Sequence, residues 1–290
     1  MIETAFLYGV ATLFLFGIAD ALAAIPAKRM SPVAITLVID SFILIFFTAI
    51  AVLMWDTYIW NKYTLLAVAG SFSGYFGFYL YIYSLKGGTV GVSTAIANGY
   101  PVLATLFGVV VLREFLPLPA VVAILLVVFG IFGLSTRFSF TTLFDRGVTN
   151  KSRLFALGAM CLWATQVIIV DRAVTELSPF QATHIGTIVT LVLGLTIFTF
   201  SKETFGSLLR QRKSDLFVAA LLGVMYFTGM FTLNSALQAG ELGIYAAIAG
   251  AAPFVSAVFA YLFLGEHLMK KEWFAIIMVV VGLVVLGIVA

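Results

Sequence analysis

The sequence predicts an all-α membrane protein: ten transmembrane helices in two inverted five-helix repeats around a central cavity. Three observations predict it. The 290 residues are 62% hydrophobic and only 10% charged, where a soluble domain carries roughly 25% charged residues. Apolar runs of about 20 residues, each able to cross a hydrocarbon core of ~30 Å, recur ten times along the chain. The chain also repeats itself: residues 84–116 and 236–268 align at a constant offset of 152, with 11 of 33 positions identical. A duplicated unit in so apolar a chain is the pattern of carriers built from two pseudo-symmetric halves. The runs lack the polar–apolar alternation of a membrane barrel, which leaves helices as the spanning structure.

Each element has its own signal. The first span, 4–27, follows an acidic MIET start where a cleavable signal would be basic, and it carries Asp20. Ser31-Pro32, an N-cap followed by proline at the first helical position, opens the second span, 32–54, which carries Asp40. The third, 63–85, has two opposed stripes. Gly70, Gly74 and Gly77 are expected to pack on a neighbour; Phe72, Phe76, Tyr79 and Tyr83 face lipid or a cavity. In the fourth, 89–112, Gly91, Ala95 and Gly99 form a small-residue face, and Pro101 interrupts the backbone ladder beside Asn98. The fifth, 118–136, closes a first repeat of residues 1–136. The polar stretch 137–152 is the linker, and residues 153–290 form the second repeat. Its spans are 153–172, 179–200 (opened by Ser178-Pro179), 214–237, 241–264 (with Pro253) and 271–290. Five spans is an odd number, so the second copy enters the membrane from the opposite face.

Orientation is read from the basic residues. Lys62, Arg113 and Arg172 fall on the face carrying both termini, and the other 13 of 16 Lys and Arg on the opposite face. The positive-inside rule then puts both termini outside. The basic cluster Arg210, Arg212, Lys213 reads as an anionic-lipid contact. A net charge of +3 in so uncharged a chain gives no reason to expect nucleic acid, and the single cysteine, Cys161, read as a small buried apolar residue, permits no internal disulfide.

An ionisable side chain inside a bilayer costs about 2.5–3.5 kcal/mol on insertion scales, so each is a functional candidate. Asp20 and Asp40 each lie ten residues from the turn near residue 30, which sets both at one depth, roughly 12–15 Å below the loop. They can share a proton, bind a cation, or recognise an amine. The corresponding place in the second repeat holds Gln166 and His184. Pro101 and Pro253 free the carbonyls of Ala97 and Ala249 at membrane depth, which suits a site lining, and Asn98 adds an amide there. Tyr79, Trp163, Tyr226 and Tyr245 can offer flat faces to an aromatic or cationic ligand. Glu114 and Glu266 match across the repeat and read as structural groups at helix ends, while Glu241 suits the positive end of the ninth helix.

The order of these features resembles the drug/metabolite transporter superfamily, in its ten-helix EamA-like branch, and is similar to the aromatic amino acid exporter type. The residues that carry the resemblance are Phe16-Gly17, the Met/Leu-Ser-Pro openings at Pro32 and Pro179, the Gly…Ala…Pro…Leu-x-Glu course of the fourth and ninth spans, and Gly130 with Gly282. The resemblance implies a multi-pass protein of the plasma (inner) membrane, monomer or homodimer, exporting small metabolites such as amino acids through a cavity between its halves, with no cofactor. It also implies cytoplasmic termini, against the charge count. Relatives often carry Arg where this chain has Asp40, and are apolar at Asp20. Organic cations or drugs are therefore the alternative cargo, with Asp20 and Asp40 as the proton- or cation-coupling pair. A reading from another class, an intramembrane enzyme, rests on Gly91-Val92-Ser93-Thr94 with His184 as a base; it lacks the second glycine and a clear oxyanion donor.

Overall fold

The structure, a computed structural model, describes residues 2–27, 29–53, 57–87, 96–136, 150–201, 204, 206, 208, 210–263 and 267–289. Within them the chain is helical throughout: α1 (Ile2–Ala27), α2 (Pro32–Leu53), α3 (Lys62–Gly87), α4 (Tyr100–Phe107), α5 (Leu118–Thr136), α6 (Asn150–Ala173), α7 (Pro179–Phe200), α8 (Lys213–Ala239), α9 (Leu242–Gly250), α10 (Ala252–Phe263) and α11 (Lys270–Val289). Eight stretches are long and apolar enough to cross a membrane, α9 and α10 counting as one; Tyr100–Leu112 and Leu118–Leu134 are shorter apolar helices. The helix α6 starts at Asn150, inside the stretch read from sequence as linker, because buried Ser152 donates to Ser84 O at 2.6 Å and ties its first turn to the end of α3.

The packing pairs repeat under the sequence offset. α3 lies along α6, and α1 lies along α8, the pair that the offset generates from it. α2 packs on α7, and α5 on α11. At the last crossing a methyl group on Gly130 would meet Ala275 O at 2.8 Å, and one on Gly282 would meet Ala123 O at 2.8 Å. The contacts are reciprocal: residue 130 faces 275–279 and residue 282 faces 123–127. Positions rise along one helix as they fall along the other, so these two copies of one element run antiparallel. Only glycine permits so close a backbone approach.

The glycine stripe of α3 packs against α6, as its spacing predicts: Gly70 meets Val170, Gly74 meets Gln166 and Gly77 meets Trp163. The opposite stripe is exposed at Phe72, Phe76 and Tyr83, where lipid contact is the natural environment. Cys161 is exposed as well, against the expectation of a buried position; it lies on the outer side of α6.

Prolines 101 and 253 do not kink continuous helices. Asn98 and Gly99 form a turn, then α4 starts with Pro101 as its second residue. In the second copy Ala251 is the turn, and Pro253 is the second residue of α10. Both prolines thus occupy first-turn positions, where the missing N–H has no intrahelical acceptor in any case. Gly250 is small because the Pro101 ring rests on it. The fourth span is described only from Ile96 onward; Gly91, Ser93, Ala95 and Glu266 lie outside the described residues.

At the end of α4 the helix loosens into a π turn, Gly108–Leu112, and stops at Arg113, whose φ of 60° is left-handed. This turn aims Glu114 across the halves. Its carboxylate accepts from Leu242 N at 3.0 Å and Gly243 N at 3.3 Å, capping α9. The sequence reading gave the start of this helix to Glu241, yet Glu241 makes no side-chain cap. Burial first, and the nearby Glu114 second, hold the Glu241 carboxyl above its ordinary range.

Candidate functional site

A cavity of about 260 Å³ opens between the helices. Every long helix except α5 and α11 contributes to its lining, and so do Asn98 in the first break and Ala252 just after the second. Six of the nine sequence candidates meet there: Asp20, Asp40, Asn98, Trp163, Gln166 and Tyr226. Among the described residues, the lining contains two carboxylates and no Lys, Arg or His.

The two acids sit on different walls. Asp20, on α1, accepts a hydrogen bond from Tyr226 Oη on α8 at 2.8 Å. Around it stand aromatic rings. Tyr226 lies 6.1 Å from Phe16 and 6.4 Å from Phe78, while Trp163 lies 5.2 Å from Tyr81 and 6.2 Å from Tyr100, centre to centre. Gln166 and Trp163 reach the cavity because Gly74 and Gly77 let α6 close onto α3. Asp40, on α2, is only 8% exposed. Thr190 and Tyr75 lie beside it. Along α7, Thr183, Thr187 and Thr190 line the same wall, facing Thr36 and Ser71. Gly186 admits the Ser71 hydroxyl, which a methyl group there would meet at 2.9 Å. Asn234, on α8, completes this side.

Three candidates stand away from the cavity, which corrects the grouping read from sequence. Tyr79 shares the outward aromatic stripe and reaches Tyr83 Oη at 3.5 Å. Tyr245 is 2% exposed, its ring pressed on Gly240 and Gly9. His184 is 3% exposed and clasps the segment between α2 and α3: Nδ1 lies 3.0 Å from Tyr58 Oη and Nε2 3.4 Å from Thr48 Oγ1. Burial pushes the Tyr58 phenol up to about 12, so it stays protonated and can donate to Nδ1. Neighbouring Gln181 reinforces the clasp, accepting from Ile59 N at 3.1 Å and donating to Ile59 O at 2.6 Å.

Sequence reasoning missed the hydroxyl wall. Thr183, Thr187 and Thr190 stand at i, i+4 and i+7, one face of a helix, and that period is visible in the sequence. Asn234 is an amide inside an apolar span, the signal that singled out Asn98.

A bundle of membrane-spanning helices with interrupted segments and carboxylates around an inner cavity is the architecture of a membrane carrier. The chain belongs to the EamA-like transporter family, which it matches over residues 3–136 and 150–288; it is a multi-pass membrane transporter. A solved structure of another protein, described as "Crystal structure of protein", has the same fold, with a TM-score of 0.80 over 97% of this chain and 95% of that one at 16% identity. No curated protein matches the chain in sequence.

Proposed function

We propose that the protein is a secondary-active exporter of small amine-bearing metabolites, amino acids among them, in the plasma (inner) membrane. It works by alternating access between two inverted halves, with Asp20 and Asp40 coupling substrate movement to protons. The observation that carries this reading is the charge of the cavity: two carboxylates, ringed by aromatic and hydroxyl groups, with no basic side chain among the described residues of the lining. Such a chamber attracts a protonated amine and repels an anion. The antiparallel crossing of α5 and α11 supports the inversion, since copies that run oppositely across a reciprocal contact are related by an axis perpendicular to them.

A zwitterion needs a partner for its carboxylate as well. Tyr100 and Ala252, the first residues of α4 and α10, both line the cavity. Helix starts carry unpaired N–H groups and the positive end of the dipole, which favours amino acids alongside simple amines.

Reconstitution into liposomes with a radiolabelled panel of amines and amino acids, under pH gradients of both signs, tests the proposal. Accumulation of an amine against an opposing proton flux is expected, lost in Asp20→Asn and Asp40→Asn protein that still inserts and elutes as a single species. Transport indifferent to the gradient, with full activity in both variants, removes the coupling.

A further inference from the structure

We infer that the wall built from α2, α3, α7 and Asn234 is an ammonium subsite, a surface of hydrogen-bond acceptors that selects a substrate group by its N–H donors rather than by charge alone. This rests on the amine reading above and adds where the amine sits and how it is told from other cations.

A hydroxyl has one proton to give. Thr36 gives its proton to Pro32 O (3.0 Å) and Val33 O (3.1 Å). Thr183 gives its own to Pro179 O (2.7 Å), Thr187 to Thr183 O (3.1 Å), and Ser71 to Ala67 O (2.7 Å). Back-bonding of this kind is common for Ser and Thr in helices. Its consequence here is that all four hydroxyls, which line the cavity, are left with lone pairs only.

Asn234 extends the pattern. Its Nδ2 donates to Thr183 Oγ1 at 2.9 Å. That orientation is fixed chemically, because the Thr183 proton is held by Pro179 O and its oxygen can only accept. The amide is therefore forced to keep Oδ1 away from Thr183. That oxygen is buried without a hydrogen-bond partner, in a residue 1% exposed. A buried acceptor left unpaired is costly, so a ligand donor is its natural complement. Asp40 lies in the same lining and supplies the charge. Tyr75 borders Asp40.

The opposite wall lacks this character. Asp20 already accepts from Tyr226, and its surroundings are rings bearing O–H and N–H donors. A primary ammonium, with three donors, matches the first wall; a quaternary ammonium of equal charge, with none, matches only the rings.

The test is calorimetry on the purified full-length protein with 2-phenylethylamine and its N,N,N-trimethyl derivative. The primary amine is expected to bind at least about tenfold more tightly. Thr187→Val and Asn234→Leu should each weaken the primary amine by about fivefold to tenfold and move the quaternary one less than about twofold. Thr187→Val is nearly isosteric and breaks no contact between helices, so it reports even where Asn234→Leu fails to fold. Equal binding of the two probes by the unaltered protein, or equal losses for both in the variants, overturns the subsite while leaving the amine reading in place. Binding of neither probe overturns both.

Discussion

The two carboxylates of the cavity come from adjacent helices and from the same half of the chain, yet they occupy opposite chemical settings. Asp20 is closed by a tyrosine and walled by rings. Asp40 stands among threonine and serine hydroxyls whose protons are already committed, and beside an amide that gives one of its two to Thr183. The contrast teaches that equal depth in a membrane does not mean equal role. What each acid can do is set by the elements packed around it, and these come from both halves: α3, α4, α6 and α8 around Asp20, α3, α7 and α8 around Asp40.

The sharpest way to break the comparison is to neutralise each acid in turn. Asp40→Asn is expected to weaken amine binding by about thirtyfold or more, since leaving a buried charge without its partner costs roughly 2–5 kcal/mol; a competition assay on proteoliposomes reads it. Asp20→Asn should do less to affinity and more to gradient-driven uptake. If the two variants are interchangeable in both measurements, the walls are not distinct. Tyr226→Phe removes the tyrosine hydrogen bond that Asp20 accepts from α8. It should slow gradient-driven uptake several-fold and change amine affinity by less than about threefold, as a bond to a charged group is worth roughly 1.5–3 kcal/mol.

Smaller effects sharpen the boundary of the site. His184→Gln should leave amine affinity within about twofold, because the ring serves the Tyr58 clasp outside the cavity, and a hydrogen bond to a neutral partner is worth only about 0.5–1.5 kcal/mol to the fold. A larger loss in the binding assay would return His184 to the site. A carboxylate away from both walls sets the scale. Glu241 has its protonation midpoint raised by burial and by Glu114. Ionisation is therefore disfavoured in the folded protein, a penalty present above the raised midpoint and absent below the unfolded one. Glu241→Gln is expected to raise the melting temperature slightly at neutral pH, with the gain fading as the buffer is taken below the ordinary glutamate range.

Much of the architecture was legible because it depends on local chemistry and duplication. Hydrophobic length set the spans, Ser-Pro pairs marked helix starts, and the offset of 152 marked the duplication whose equivalent elements, α5 with α11 and α2 with α7, pack on each other. Asp20 and Asp40 stood out because charge is rare in such a chain. What failed to show was direction. Tyr245 and Trp163 look alike as isolated aromatics in apolar helices. One ring is pressed on Gly240 and the other on Gly77, and only packing decides which of them also meets the cavity. His184 was singled out for its titratable ring, but its partner, Tyr58, lies 126 residues away in a short connecting segment. The breaks before Pro101 and Pro253 read as interruptions within single spans because a proline tells where the ladder fails, without telling whether the helix resumes or begins anew.

The cap that Glu114 places on α9 crosses from a part of the chain that leaves the ribosome early to one that leaves it late. When the first turn of α9 enters the membrane, the acid that satisfies its amides has already been made and is waiting. A chain cut after α8 would carry an idle glutamate, and a second half produced by itself would carry naked amides at that turn. Each fragment holds one member of a bond that only the uninterrupted polypeptide, or both fragments expressed together, can complete.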